Sequence, residues 1–116
     1  MAASDFRDGE CHAQVNVAMT MDDERKAVAK AQGVLSGLAP TTPRNDEIAF
    51  ALRYASRLVT AGMTQGFSSE AALSDLRSDA ATALNAVAGS LDSGTLTREL
   101  INNARRAVAG LLGGFD

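Results

Sequence analysis

Apolar residues recur three or four positions apart along most of this chain, which is the spacing that places them on one face of an α-helix. Four such runs follow one another between residues 21 and 116, separated by Gly, Pro, Asp and Ser. The pattern predicts an all-α fold, a small bundle of about four helices, as a helical domain over residues 21–116. Residues 1–20 do not share the pattern and are predicted to form an extended or strand-like N-terminal arm.

The first two predicted helices have recognisable starts. The first runs from about Asp22 to Ser36, and Thr20 is its candidate N-cap. The second is predicted to have Thr42 as its N-cap and Pro43 at its first helical position. A helix that is apolar on two flanks is expected to be central in a bundle, and the second helix has that pattern. The apolar stripes are Val28, Ala31, Leu35 and Leu38 in the first helix, and Ile48, Ala51, Leu52, Ala55, Val59 and Met63 in the second, whose other flank is Phe50, Tyr54 and Leu58.

The third and fourth helices are predicted from the same period. The third begins at Ser68 or Ser69 and frays near Gly89, before a turn over residues 92–94. The fourth is capped by Thr95 and stopped by the pair of glycines at 113–114. Their stripes are Leu73, Leu76, Ala80, Ala83, Leu84 and Val87 in the third helix, and Leu100, Ile101, Ala104, Val108, Leu111 and Leu112 in the fourth.

Charges predict how the second and third helices pair. Arg53 and Arg57 stand four apart on one helix, and Asp75 and Asp79 stand four apart on the next. Like charges at this spacing repel slightly. An antiparallel hairpin turning near Gln65–Gly66 would place Arg57 level with Asp75 and Arg53 level with Asp79. The same register aligns the apolar pairs Val59 with Leu73, Leu52 with Ala80, and Ile48 with Leu84.

The composition argues against several classes of protein. Charged residues make up 22% of the chain and the net charge is −3, which disfavours nucleic-acid binding because that requires a concentrated basic face. No run of about 18 apolar residues is present, so no membrane span is expected. The single cysteine, Cys11, excludes an intrachain disulfide, and residues 1–5 lack the features of a secretory signal. We expect a cytoplasmic protein, or part of a particle assembled in the cytoplasm.

Residues 11–20 carry the one pattern with a period of two, which is the signature of a strand. A single strand leaves its backbone donors and acceptors unpaired, and the sequence contains no second convincing strand. Three interpretations stay open: the first turns of a helix, a segment that is disordered alone, or a strand that pairs with another molecule. The last interpretation predicts the partner-binding residues, which are Ala13, Val15, Val17 and Met19.

No recognisable constellation of catalytic residues is present. His12 is the only histidine, and on a strand it would point away from the neighbouring Cys11. Neither a Walker-type phosphate loop nor a Gly-x-Gly-x-x-Gly turn occurs. We therefore expect no catalytic site, no cofactor, no metal site and no small-molecule substrate.

Two charged clusters and a glycine pattern have simpler interpretations than a binding site. The acids at 22–24 could bind a cation, but they also suit the positive end of a helix dipole. Arg98, Arg105 and Arg106 form a candidate basic face, which we expect to be solvated or to contact acidic segments rather than phosphates. Three Gly-x-x-x-Gly matches place their second glycine at predicted helix ends, so termination explains most of that pattern and close helix crossing some of it.

Three functions are compatible with these features. The leading hypothesis is a non-enzymatic structural or adaptor subunit of a multi-subunit assembly, such as a virion component, with other protein chains or further copies of itself as partners. The alternative is a small regulatory or chaperone-like module that holds a peptide or helix in a groove between its helices. The third is an enzyme without a cofactor in which Tyr54, Asp46, Glu47 and the arginines surround a substrate, but no spacing selects these residues.

Overall fold

A computed structural model of the chain describes residues 21–65 and 71–115, and these residues form four helices. They are α1 (Met21–Ser36), α2 (Asp46–Gln65), α3 (Ala71–Ser93) and α4 (Arg98–Phe115). The predicted all-α fold with four helices is therefore confirmed. Residues 1–20, and with them the predicted N-terminal arm, lie outside the described residues.

Successive helices run antiparallel, and the last helix returns to the first. On the α2–α3 side, the Ser56 hydroxyl donates a hydrogen bond to the carbonyl of Ala81 (3.3 Å). On the α4–α1 side, the Arg105 guanidinium reaches the carbonyl of Leu35. Each helix thus packs against two neighbours, and α1 and α3 stand diagonally across the bundle. None of the four described helices has the length and hydropathy that crossing a membrane requires.

The core is built mainly from leucine, valine and many alanines, which lie mostly in the four helices, with Leu38 and Leu96 in the connections between them. The buried positions confirm the predicted stripe of α1 completely, and they include most positions of the other stripes. These residues supply the buried apolar surface of the four described helices. The fully buried apolar residues are Val28, Ala31, Leu35, Leu52, Ala55, Val59, Ala80, Leu84, Val87, Ala88, Ala104, Val108 and Leu111.

Two predicted helix caps were wrong. The side chain of Asn45, not Thr42, caps α2 by accepting hydrogen bonds from the backbone N–H groups of Glu47 (2.9 Å) and Ile48 (3.1 Å). Thr97, not Thr95, caps α4 by accepting from Leu100 N–H (3.1 Å). In each case another residue that can cap a helix follows two or three positions later in the chain. Its side chain accepts hydrogen bonds from free backbone N–H groups of the first turn, so the helix begins after it.

Two predicted helix ends were also wrong. A glycine alone does not end a helix when the residues around it favour the helical conformation. The helix α3 passes through Gly89 and ends at Ser93. The next residue, Gly94, has a φ of 74°, and a hydrogen bond from Thr95 N–H to the Ser90 carbonyl (2.9 Å) closes the turn. This is the left-handed C-terminal geometry that glycine adopts without steric cost. The helix α4 likewise continues through Gly113 and Gly114 to the buried Phe115.

The antiparallel hairpin of α2 and α3 is present, but its predicted register was wrong. Arg53 pairs with Asp92 (2.8 Å), not with Asp79, which is exposed. The predicted register would have placed Ser56 beside residue 76, yet it bonds to Ala81, five residues further along. Exposed ion pairs contribute only about 0–1 kcal/mol, too little to set the register against the packing of the core.

A buried ion pair crosses the bundle diagonally from α1 to α3. The Nε and Nη2 atoms of Arg77 donate to the two carboxylate oxygens of Glu24, each at 2.8 Å. The side chains of Arg77 and Glu24 are only 1% and 0% exposed. The bidentate geometry is the strongest form of this interaction, and it offsets the cost of removing both charges from water.

Gly62 of α2 provides the space for this ion pair. A Cβ atom at position 62 would lie 2.9 Å from Oε1 of Glu24. The buried carboxylate therefore rests against the bare backbone of α2 while it bonds to α3. Three helices are fixed relative to one another by this one contact.

We predict that Arg77→Met lowers the free energy of unfolding by about 3–5 kcal/mol, because it leaves the Glu24 charge buried without its guanidinium. The double variant Glu24→Met/Arg77→Met should recover most of that loss, since neither charge is then buried. Denaturant unfolding measures both changes. The control Lys26→Met removes the exposed Lys26–Asp22 pair and should cost less than about 1 kcal/mol. An Arg77→Met variant as mild as this control would contradict the assignment.

We also predict opposite effects for alanine at two helical glycines. Gly89→Ala should raise the free energy of unfolding by roughly 0.5–1 kcal/mol, since alanine is the better helix former and its methyl group meets nothing within 4 Å. Gly62→Ala should lower it, because its methyl group displaces the Glu24 carboxylate. Thermal and denaturant unfolding of the two variants test this, and stabilisation by both would show that Gly62 is not a close-contact site.

Candidate interaction surface

An open groove of about 870 Å³ runs between α1 and the first half of α2. Its walls are mainly apolar. From α1 they include Ala27 and Val34, and from α2 Ile48, Phe50, Ala51 and Tyr54; charge is added by Lys30, Asp46 and Glu47. We call this feature the α1–α2 groove.

The α1–α2 groove exposes the largest apolar side chains on the described surface. Phe50 is 66% exposed and Tyr54 is 37% exposed, and their rings stack with centroids 5.8 Å apart at 15°. The next residue of this predicted stripe, Leu58, is only 2% exposed. The second apolar flank, from which a central position of α2 was predicted, is therefore exposed at Phe50 and Tyr54 and buried only at Leu58. On α1 the facing positions carry Ala27 and Val34, which are too short to cover the two rings.

The sequence contains a signal for this exposure. Along a helix, positions three or four apart share a face. Asp46 and Glu47 precede Phe50 at that spacing, and Arg53 and Arg57 follow the two aromatic residues. The aromatic pair therefore lies on the charged face of α2, which is the face that solvent reaches.

Charges of both signs border the groove. Lys30 lies on the α1 side, and Asp46, which accepts a hydrogen bond from Arg44 Nε (3.4 Å), lies on the α2 side. Arg53, paired with Asp92 (2.8 Å), lines the neighbouring depression on the other side of Phe50 and Tyr54. An apolar floor inside a polar, mixed-charge border is the usual composition of a protein-binding surface. A surface for a polyanion would instead carry a concentration of one sign.

The predicted partner-binding residues Ala13, Val15, Val17 and Met19 lie outside the described residues, as do Cys11 and His12. The described helices nevertheless limit how such a segment could bind to a second copy. Residues 21–65 and 71–115 contain no strand, so they offer no sheet edge to which a strand could be added.

The acidic cluster at the start of α1 does not converge on a single point. Asp22 pairs with Lys26 (3.2 Å) at the surface, whereas Glu24 turns into the core toward Arg77. Within the described part of the chain, no group of three or more His, Cys, Asp or Glu side chains could hold a metal ion. The position of Glu24 was not anticipated, because an acid in a first helical turn is already explained by the helix dipole.

The candidate basic face on α4 is divided in the same way. Arg105 donates hydrogen bonds to the carbonyls of Leu35 (2.8 and 3.0 Å) and Ser36 (3.1 Å). These carbonyls end α1 and have no partner within the helix, so Arg105 caps α1. Arg106 donates to the side chain of Asn103 (3.4 Å). Arg105 thus has a structural role, and the face is not a continuous basic surface.

Three residues considered for catalysis do come together in the groove. Tyr54, Asp46 and Glu47 all line it. The groove is open to solvent and its floor is apolar, and the Asp46 carboxylate is engaged by Arg44. This arrangement suits the binding of an apolar surface better than proton transfer in an enclosed site.

Comparison with models of known protein families, with curated proteins and with solved structures gives no match. The functional argument therefore depends on the residues of this chain.

We predict that Phe50→Ala and Leu58→Ala have unequal effects on stability, although both residues belong to one sequence stripe. Phe50→Ala should lower the free energy of unfolding by no more than about 1 kcal/mol, since most of the ring is already in water. Leu58→Ala should lower it by about 2–5 kcal/mol, because it leaves a cavity. Denaturant unfolding provides the comparison, and equal losses would mean that Phe50 is packed inside the bundle.

Proposed function

We propose that this chain is a non-enzymatic structural or adaptor subunit of a multi-subunit protein assembly and acts through protein–protein contacts. The observation that supports this best is the exposed, stacked pair of Phe50 and Tyr54 on the apolar floor of the α1–α2 groove. Aromatic side chains that are preordered by stacking lose little conformational freedom on binding, and they contribute disproportionately to the affinity of protein interfaces.

The construction of the helical body supports the same proposal. The buried Glu24–Arg77 pair and the cap from Arg105 fix α1 on the other helices. Because α1 forms one wall of the groove, that wall is held in place before any partner arrives. A preformed surface beside an arm with apolar residues 13, 15, 17 and 19 gives the subunit two elements through which it can contact other chains.

The assembly in this proposal consists of further copies of the chain or of a larger particle. Small helical subunits with arms recur in such particles, and a virion assembled in the cytoplasm is one setting of this kind. That comparison is an analogy of architecture. The contacts themselves are proposed from the groove and from the pattern of residues 11–20.

A second candidate function is a regulatory or chaperone-like module that holds a peptide or helix of another protein. The α1–α2 groove also favours this function, since its floor is apolar and its border is polar. The two candidates differ in the role of residues 1–20. Deleting them should abolish assembly by a structural subunit but leave binding by a groove module intact.

The assembly proposal predicts a native mass of more than one chain by light scattering, alone or with a co-purifying partner. Phe50→Ser/Tyr54→Ser should reduce that mass toward the single chain, because it removes the aromatic contact while the fold is retained. The control Asp75→Ser/Asp79→Ser alters two exposed positions on α3 and should leave the mass unchanged. A chain that stays monomeric at high concentration and co-purifies with no partner would contradict the proposal.

A further inference from the structure

We infer that, in the isolated chain, the α1–α2 groove is the docking site of the chain's own residues 13–19. The inference goes beyond the proposed function, because it concerns the protein before it meets a partner. It rests on three features: the length of chain that precedes α1, the alternation of its apolar residues, and the composition of the groove.

The first feature is reach. Residues 1–20 precede Met21, the first residue of α1. Extended backbone advances about 3.3 Å per residue and a helix about 1.5 Å per residue. If the chain reverses at Thr20, Val17 comes back about 13 Å along α1, level with Lys30. Val15 comes back about 20 Å, level with Val34. Lys30 and Val34 are both residues of the groove wall.

The second feature is alternation. In an extended segment successive side chains point to opposite sides. Val15 and Val17 would therefore face the groove together, while Gln14 and Asn16 would face solvent. The segment does not need a partner strand to be bound in this way, because its polar side and its backbone remain hydrated.

The third feature is the match in polarity. Residues 11–20 contain no Asp, Glu, Lys or Arg, so docking them removes none of those charges from water. The surface that they would cover is the apolar floor beside Phe50 and Tyr54. Covering it would shield the largest exposed apolar side chains of the described body. Since the segment belongs to the same chain, it is present at a high effective concentration without any association step.

Docking of this kind would give the arm two alternative states. In the isolated chain it closes its own groove, and in an assembly it vacates the groove, so that a partner segment or the arm of a neighbouring copy can enter. The contact surface is the same in both states, as in domain swapping.

The chain carries a natural probe for this contact. Tyr54 is the only tyrosine and there is no tryptophan, so the fluorescence of the protein reports the groove. We predict that acrylamide quenches Tyr54 weakly in the natural chain. The variant Val15→Asp/Val17→Asp should increase the quenching constant clearly above the natural value, because Tyr54 is then uncovered. The matched control Gln14→Asp/Asn16→Asp adds the same charge on the outward side and should keep the natural value.

The measurement is made over a dilution series that starts where light scattering detects association and extends to concentrations where it gives the mass of a single chain. A quenching constant that does not change on dilution supports docking of the chain's own arm. Quenching that increases on dilution would assign the groove to a second copy and overturn the inference, as would equal quenching in the natural chain and in Val15→Asp/Val17→Asp. Either outcome is independent of the proposed function, which is tested by the native mass of the assembly.

Discussion

The buried ion pair between Glu24 and Arg77 constrains the rest of the structure. Two charges inside a core of alanine and leucine are tolerated only in close bidentate contact, so the first turn of α1 and the beginning of α3 must meet at one point. Gly62 allows α2 to approach that point without a side chain. Such a pair adds little net stability over well-packed apolar residues. Its effect here is to select one arrangement of three helices.

The bundle has an open side between two of these helices. Near Glu24, α2 faces α1 with Gly62, which has no side chain. Toward the other end, α2 carries Phe50 and Tyr54 on its charged face, and Ala27 cannot reach them. The same two helices are therefore in contact through Glu24 and Gly62 and, further along, line an apolar groove. A rigid frame with one uncovered apolar surface is well suited to binding another polypeptide.

The period of the apolar residues was enough to predict four helices and most of their buried positions, because burial in a bundle follows the helical repeat. Details that depend on one side chain were less accessible. Thr42 and Asn45 both resemble caps, and only the backbone path selects Asn45. The partner of Glu24 is 53 positions away in the sequence, so no local pattern indicates it. The exposure of Phe50 has a signal in the sequence, since the charges that flank it mark the solvent face of α2. The apolar spacing of Phe50, Tyr54 and Leu58 predicts the opposite, a flank that packs against another helix.

The stacking of Arg25 over the ring of Phe115, 5.9 Å from its centroid, brings the start of α1 beside the end of α4. The bundle is thus closed into a ring of helices in which the first and last are neighbours. A mechanical force applied to the start of α1 and the end of α4 would act on the contact between these two helices. It would not stretch the bundle along its length. The entry and exit of the helical body lie at the same corner, so anything joined to either would emerge there.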